Sequence, residues 1–299
     1  MRKAVIAIGS NSTRMLTADC GGKELKNRVT GRVETRLFLG LNDGGALSTQ
    51  AMENTAGAVL SLLYDAVRAG AEETRLIATS ACREACNIRE FEMLLLNRTG
   101  LELTVIPGDE EADCSYRAAA DEGKCVLTDI GGGSTEYSLG DRGKPVCARS
   151  INIGASRLLK KGEINSLGDM QSFLAMAKTE LRDAAREIRS LFRADKLIGV
   201  GGTCTTAASI KRGCFSGGEE TEGAVLTMET VMEQLEMLSQ MTPKQRMLVP
   251  GLPAGRALIM PHGLCILCAT MELLGFDSLT VSVRTAADGW LLLHSNKES

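Results

Sequence analysis

Two carboxylates, Asp129 and Glu136, bracket the glycine-rich stretch Ile130-Gly131-Gly132-Gly133-Ser134-Thr135. An earlier stretch, Ile8-Gly9-Ser10-Asn11-Ser12, has the same design. Each follows an apolar run (Ala4 to Ile8; Val126 to Ile130) and leads into another (Met15 to Ala18; Tyr137 to Leu139). Glycine lets a backbone approach a ligand with no Cβ in the way, and successive N–H groups in a tight turn form a nest for anions. Two such nests facing each other across a cleft would clamp a phosphate chain. A carboxylate at Asp129, closing a strand, could hold a divalent cation while the following N–H groups grip phosphate oxygens. A lone Asp-Ile-Gly serves equally well to cap a hairpin turn, so it is the attached glycine run that points to chemistry.

Other residues of suitable type stand near turns. Glu110 and Glu111 open a predicted helix just after Gly108, where acids are commonplace partners of the helix dipole. Arg83, in Thr79-Ser80-Ala81-Cys82-Arg83, follows a strand and begins a helix, a place where an arginine can simply cover surface. Arg14 lies just past the first glycine turn, and Gly201-Gly202-Thr203 forms a third turn that packing explains almost as well as ligand contact.

The elements that would position these residues follow from hydrophobic periodicity. Strands are predicted over Lys3–Ile8, Met15–Asp19 and Glu24–Phe38, the last after a Gly21-Gly22 turn. A long amphipathic helix follows over Ser48–Ala69, with Met52, Ala56, Val59, Leu60, Leu63 and Val67 on one face. Leu76–Thr79 and Leu103–Ile106 read as strands, Ile88–Leu96 and Glu110–Ala120 as helices. The pattern then restarts, with strands at Cys125–Ile130, Glu136–Leu139 and Val146–Ile151. A helix over Asp169–Phe192, a strand over Leu197–Val200 and a helix over Cys204–Lys211 follow. The chain closes with an apolar helix over Ile259–Leu274, a strand over Leu279–Ser282 and a helix over Ala286–His294. The glycine- and proline-rich stretches Ser216–Glu220 and Pro250–Gly255 read as surface loops. The repeated order predicts two related α/β domains with ligand between them.

Composition narrows the class. The 299 residues favour two domains, and 44% hydrophobic with 24% charged residues is ordinary for a globular protein. No apolar run reaches the ~20 residues that span a bilayer, and the basic-then-apolar start breaks at Gly9 too early for a secretory signal. A net charge of −3 and 3% aromatic residues speak against a nucleic acid polymer as partner. Ten scattered cysteines read as reduced thiols in a cytoplasmic protein, and Cys265-x-x-Cys268 lacks the second pair that a zinc site needs. Neither GxxxxGK[ST] nor a helix-opening GxGxxG is present.

Six ordered blocks carry a resemblance: IGSNSTRML (Ile8–Leu16), ATSACREACN (Ala78–Asn87), IPGDEEADCSY (Ile106–Tyr116), LTDIGGGSTEYSLG (Leu127–Gly140), INIGASRL (Ile151–Leu158) and GVGGTCTT (Gly199–Thr206). GLPAGRA (Gly251–Ala257) and LTVSVR (Leu279–Arg284) form a weaker tail. Together they resemble the exopolyphosphatase / guanosine pentaphosphate phosphohydrolase (Ppx/GppA) family of the actin-like ASKHA superfamily, in its short form. The resemblance implies two actin-like (ribonuclease H-like) domains with mixed five-stranded sheets flanked by helices. Domain I would span 1–123, completed by the C-terminal helix over about 285–299, and domain II 124–284. It further implies that Glu111 is the general base and that Arg83 binds non-bridging phosphate oxygens. Gly9, Ser10, Asn11, Ser12 and Arg14 would form one phosphate site, and Gly131, Gly132, Gly133, Ser134 and Thr135 the other, with Gly202 and Thr203 as a third contact. Asp129 and Glu136 would hold Mg²⁺ or Mn²⁺. The substrate would be inorganic polyphosphate or guanosine penta- or tetraphosphate, with a homodimer as family habit.

The chain also departs from the family pattern. Ala7 stands where the family usually has Asp, Leu258 where an acid is usual, and Val283 at another acidic position. Loss of one metal-side carboxylate implies weakened or altered catalysis, and its extreme form is a non-catalytic binder of polyphosphate or alarmone. A sugar- or acetate-kinase-like phosphotransferase is a third reading, which a hydrolytic Glu111 opposes.

Overall fold

A computed structural model describes residues 1–21, 24–120, 123–191, 193–215 and 218–294. Parts of the expected Gly21-Gly22 turn and Ser216–Glu220 loop, the helix end at Phe192 and the last five residues lie outside the described residues. The chain divides into two compact units, Met1–Cys114 with the chain from Ala286 onward, and Ser115–Thr285.

Unit 1 holds strands β1 (Arg2–Ile8), β2 (Thr13–Asp19), β3 (Lys26–Val33), β4 (Glu73–Ala78) and β5 (Leu103–Val105) in the order β3-β2-β1-β4-β5. The first three are joined antiparallel, and β4 and β5 are added in parallel. Alternation along β1 sends Ala4, Ile6 and Ile8 to one face and Val5 and Ala7 to the other. On the first face lie α1 (Thr49–Arg68) and α3 (Ile88–Thr99); α2 (Ser80–Glu84) follows β4, and α4 (Gly108–Ala119) follows β5. The unit boundary falls within α4. Helix α1 starts on the Ser48 side chain, whose Oγ accepts from the Ala51 N–H at 3.3 Å.

Unit 2 repeats this plan. Strands β6 (Lys124–Ile130), β7 (Thr135–Asp141), β8 (Lys144–Ile151), β9 (Lys196–Val200), β10 (Val225–Thr227) and β11 (Ser278–Val281) form one sheet in the order β10-β11-β9-β6-β7-β8. Its helices are α5 (Ala155–Lys161), α6 (Leu167–Leu191), α7 (Gly201–Arg212), α8 (Met228–Ser239), α9 (Pro243–Arg246) and α10 (Met260–Leu274). Helix α10 is apolar almost all round and buried against α6 and α8, the expected fate of a helix with no polar face. Helix α11 (Ala286–His294) returns to unit 1, where Trp290 and Leu291 cover the second face of its sheet.

Several expectations need correction. The second sheet has six strands rather than five, because the three-residue β10 adds to its edge. β3 stops at Val33, and the chain turns through Arg36 at φ 50° into a short 3₁₀ helix at Leu37–Gly40. The buried stripe of α1 is Met52, Thr55, Ala56, Val59, Leu62 and Ala66, whereas Val67 is 60% exposed. Gly201-Gly202-Thr203 is the first turn of α7 rather than a turn before it. Pro250–Gly255 is not a free surface loop: a Cβ on Gly251 would overlap the Ser209 backbone. All ten cysteines are free thiols, and only Cys86 and Cys214 are exposed. Among the described residues no helix is long and apolar enough to cross a membrane.

His262, in α10, is fully buried. Its Nε2 lies 2.9 Å from the Gly162 carbonyl, and the Phe173 ring meets it edge-on at 4.9 Å. Burial lowers its pKa from the ordinary 6.5, while hydrogen bonds to the Gly162 and Leu258 carbonyls pull the other way. A histidine held neutral contributes stability above its unfolded pKa, and that contribution is lost as pH falls through the folded value. The melting temperature should therefore fall between about pH 7 and about pH 5, and His262→Gln should flatten that slope. Parallel profiles for the two proteins would remove His262 as a cause.

Candidate active site

In unit 1 the parallel strands β1 and β4 end side by side at Ile8 and Ala78. The Gly9 turn and α2 therefore emerge at the same edge, the carboxyl ends where ligands of α/β sheets bind. The Gly9 N–H donates to the Ser12 carbonyl at 3.1 Å, and a Cβ on Gly9 would approach that oxygen to 2.9 Å. The N–H groups of Phe38 and Arg36 donate to the Ser10 and Asn11 carbonyls, both at 2.9 Å. With carbonyls engaged from one side, the loop's amides are held in fixed orientation. Ser10 Oγ and both polar atoms of the Asn11 side chain are buried with no hydrogen-bond partner among the described residues.

Unit 2 builds the same turn 122 residues later, with Gly131 N–H donating to the Ser134 carbonyl at 3.0 Å. Here α5 supplies the backing. Ala155 N–H donates to the Gly131 carbonyl at 3.0 Å, and the N–H groups of Ser156 and Arg157 donate to Gly132 at 2.8 and 3.0 Å. Arg157 Nε donates to the Gly133 carbonyl at 2.7 Å. This contact needs a glycine at 154, where a Cβ would come within 2.5 Å of the Gly132 carbonyl carbon. Thr135 donates its hydroxyl to the Ile153 carbonyl at 2.7 Å, so it braces the turn.

The acidic and basic candidates fall into two groups. In unit 1, Arg83 and Glu111 meet directly: Arg83 Nη1 donates to Glu111 Oε2 at 2.7 Å and to the Ile106 carbonyl at 3.0 Å. Both side chains remain partly open, at 21% and 12% exposure. In unit 2, Asp129 and Glu136 are register partners on β6 and β7, so their side chains share one face of the sheet. Ser115 Oγ donates to Asp129 Oδ2 at 3.1 Å, and Ser150 Oγ donates to Glu136 Oε1 at 2.7 Å. Asp129 also abuts Gly201, whose φ of +81° and lack of room both require glycine.

The start of α7 brings a residue that the sequence did not single out. Arg256 is 5% exposed, and its guanidinium occupies the space that a Cβ on Gly202 would fill. Burial pushes the Cys204 thiol up, with Asp129 adding to that effect and Arg256 opposing it, so both charges bear on this helix end. Thr203 is buried and donates weakly to the Ile130 carbonyl at 3.4 Å. Ser115, Ser150, Gly154 and Arg157 were likewise unassigned, although all but Ser150 lie inside the motif blocks.

The donor set fits a hard divalent cation. Two carboxylates side by side, each steadied by a serine hydroxyl, match Mg²⁺, which takes one or two carboxylates and fills its shell with water and substrate oxygens. Among the described residues no group of three or more His, Cys, Asp or Glu could form an all-protein cage.

The model of the Ppx/GppA phosphatase family matches residues 23–298. The chain belongs to this family. Exopolyphosphatase 2 of Mycobacterium tuberculosis is 29% identical, over 96% of this chain and 97% of its own length. A guanosine-5'-triphosphate,3'-diphosphate pyrophosphatase of Aliivibrio fischeri is 28% identical over 96% of this chain, which spans only 58% of that protein. The solved Ppx/GppA family member of Aquifex aeolicus superposes with a TM-score of 0.81 at 26% identity, covering 100% of this chain and 99% of its own. An exopolyphosphatase from Cytophaga hutchinsonii shares the fold at a TM-score of 0.88 and 21% identity, with 99% of both chains covered. The actin-like α/β architecture is thereby shown, whereas residue roles rest on the geometry above.

The Gly202–Arg256 contact is open to a direct check. Gly202→Ala should lower stability by about 1–3 kcal/mol, the usual penalty for overpacking. In an Arg256→Ala background the same substitution should lose most of that effect, as thermal or urea denaturation would read. Strictly additive losses would show that the two residues do not meet.

Proposed function

We propose that the chain is a phosphoanhydride hydrolase that releases terminal phosphate from inorganic polyphosphate, with guanosine pentaphosphate as the second substrate class. The observation that carries this reading is the Arg83–Glu111 pair, placed at the strand edge that also bears the Gly9 turn. Its support is a relative named exopolyphosphatase that matches this chain over almost the full length of both.

In this reading the amides of Ser10 to Ser12 and of Gly132 to Ser134 take phosphate oxygens. Arg83 would bind non-bridging oxygens, offsetting the charge that develops during transfer. Glu111 accepts the proton of a water as that water's oxygen forms a bond to the terminal phosphorus. The P–O bond to the rest of the chain breaks, and the leaving phosphate keeps the electron pair. Asp129 and Glu136 would hold Mg²⁺ or Mn²⁺, which supplies charge neutralisation to the phosphate oxygens. The Arg83 pair fixes the Glu111 carboxylate in place before substrate arrives, so little reorganisation is left for the reaction itself.

Phosphate release from long-chain polyphosphate should fall about 10²- to 10⁴-fold in Glu111→Gln, the range for loss of a general base, with melting behaviour unchanged. Equal rates for the two proteins would reject Glu111 as base. Chelation of divalent cations should stop turnover and Mg²⁺ should restore it, with Asp129→Asn requiring more Mg²⁺ than wild type. Tight binding of guanosine tetraphosphate without turnover of any phosphate chain would replace the hydrolase by a binding protein.

A further inference from the structure

Helix α5, which backs the Gly131 turn, is only seven residues long. A helix so short has little stability of its own and takes its place from its contacts. Its first N–H groups have no partner inside the helix and go to the turn instead: Ala155 donates to the Gly131 carbonyl, Ser156 and Arg157 to Gly132. Leu158 is buried in the core of unit 2. Apolar burial is non-directional, so it holds the helix down without fixing its position along the axis. That position depends on what holds the two ends.

Two buried basic side chains hold the far end. Gly162 closes α5, and its carbonyl lies 2.9 Å from Nε2 of His262 on α10. Two residues on, the Ile164 carbonyl accepts from Nη2 of Arg246 on α9. Arg246 is buried and also donates to the carbonyls of Leu238 at 2.8 Å and Ala257 at 3.5 Å. Each of these acceptors is a backbone carbonyl, so the guanidinium fastens chain segments to one another. His262 projects from a fixed platform: a Cβ on the next residue, Gly263, would lie 2.7 Å from Thr203 Oγ1. A neutral imidazole has one N–H, and the shorter contact, 2.9 Å against 3.3 Å to the Leu258 carbonyl, assigns it to Nε2. The ring therefore donates to Gly162. From there a row of hydrogen bonds runs through two turns of helix to the carbonyls of Gly131 and Gly132.

We propose that His262 is a positioning residue for the Gly131 turn: it fixes the exit of α5, and α5 in turn fixes the peptide planes of that turn. The proposal rests on the reading of this chain as a binder of phosphate chains, in which the N–H groups of the turn take phosphate oxygens. His262 acts from the interior of unit 2, through the Gly162 carbonyl alone, and takes no part in proton transfer. Arg246 supports the same segment from the other side of Glu163.

The test is amide hydrogen exchange of the full chain, read peptide by peptide, in wild type, His262→Leu and His262→Gln. Leucine cannot donate to the Gly162 carbonyl, whereas the glutamine carboxamide can. Exchange over α5 should quicken about tenfold in His262→Leu, the scale of one lost hydrogen bond, and return towards wild type in His262→Gln. Helix α1 of unit 1 should keep its wild-type rate throughout. His262→Ala, which adds no volume, serves if His262→Leu does not melt cooperatively. In the same proteins the KM for long-chain polyphosphate should rise with the loss of the donor, with kcat held within about twofold. Unchanged exchange over α5, or equal quickening over α1 and α5, overturns the proposal. Faster α5 exchange with an unmoved KM overturns it as well, because the turn would then hold phosphate without the helix. If wild type releases no phosphate, the hydrolase reading falls and the Kd for tripolyphosphate takes the place of KM. A wild type that neither cleaves nor binds such chains overturns both, while turnover with unaltered α5 exchange sustains the hydrolase and removes His262 from it.

Discussion

Peptide groups have two ends, and this fold uses one end of several to aim the other. Behind the Gly131 turn, three N–H groups of α5 and the Arg157 side chain take the carbonyls of Gly131, Gly132 and Gly133. Behind the Gly9 turn, Phe38 and Arg36 do the same for Ser10 and Asn11. A carbonyl fixed in a hydrogen bond fixes the plane of its peptide, and with it the direction of the next N–H. Each turn is thereby ordered by its own hydrogen bonds, so an anion bound there would not have to order the loop. Gly154 and Gly201 follow from that constraint, since a side chain at either would strike the turn or the acid beside it.

One supersecondary plan recurs in both units, with different side chains at equivalent positions. The two sheets agree in strand order and direction, apart from the added β10, and both place a tight turn where parallel strands end. On that common backbone, one copy carries Asp and Glu and the other Ala and Arg at matching register positions. Backbone hydrogen bonds tolerate either choice because the side chains project off the sheet. Chemistry can thus diverge while the fold stays put.

What the sequence disclosed followed physical type. Glycine turns, the apolar strands before them and the buried α10 were legible because each is set by local composition. The α1 stripe was misread by about one position at several places, since Leu60, Leu63 and Val67 are as apolar as the residues that face the sheet. β10 was missed because three residues give too little periodicity, and its place is set by pairing with β11. Arg83 with Glu111 and Asp129 with Glu136 were named from motifs, but the direct ion pair of the first couple comes from tertiary structure. Arg256 could not be found from spacing: 54 residues separate it from Gly202, and nothing local marks an arginine that fills a missing Cβ.

The distribution of thiols offers an unplanned advantage. Eight of the ten cysteines lie in the interior, while Cys86 belongs to unit 1 and Cys214 to unit 2. Burial suppresses thiolate formation at Cys82, Cys204, Cys265 and Cys268, so maleimide chemistry is directed to the two outer sulfurs. The natural sequence thus carries one attachment point for a fluorophore on each half. A donor and an acceptor dye could thus be attached one to each unit, with no engineered residue at all.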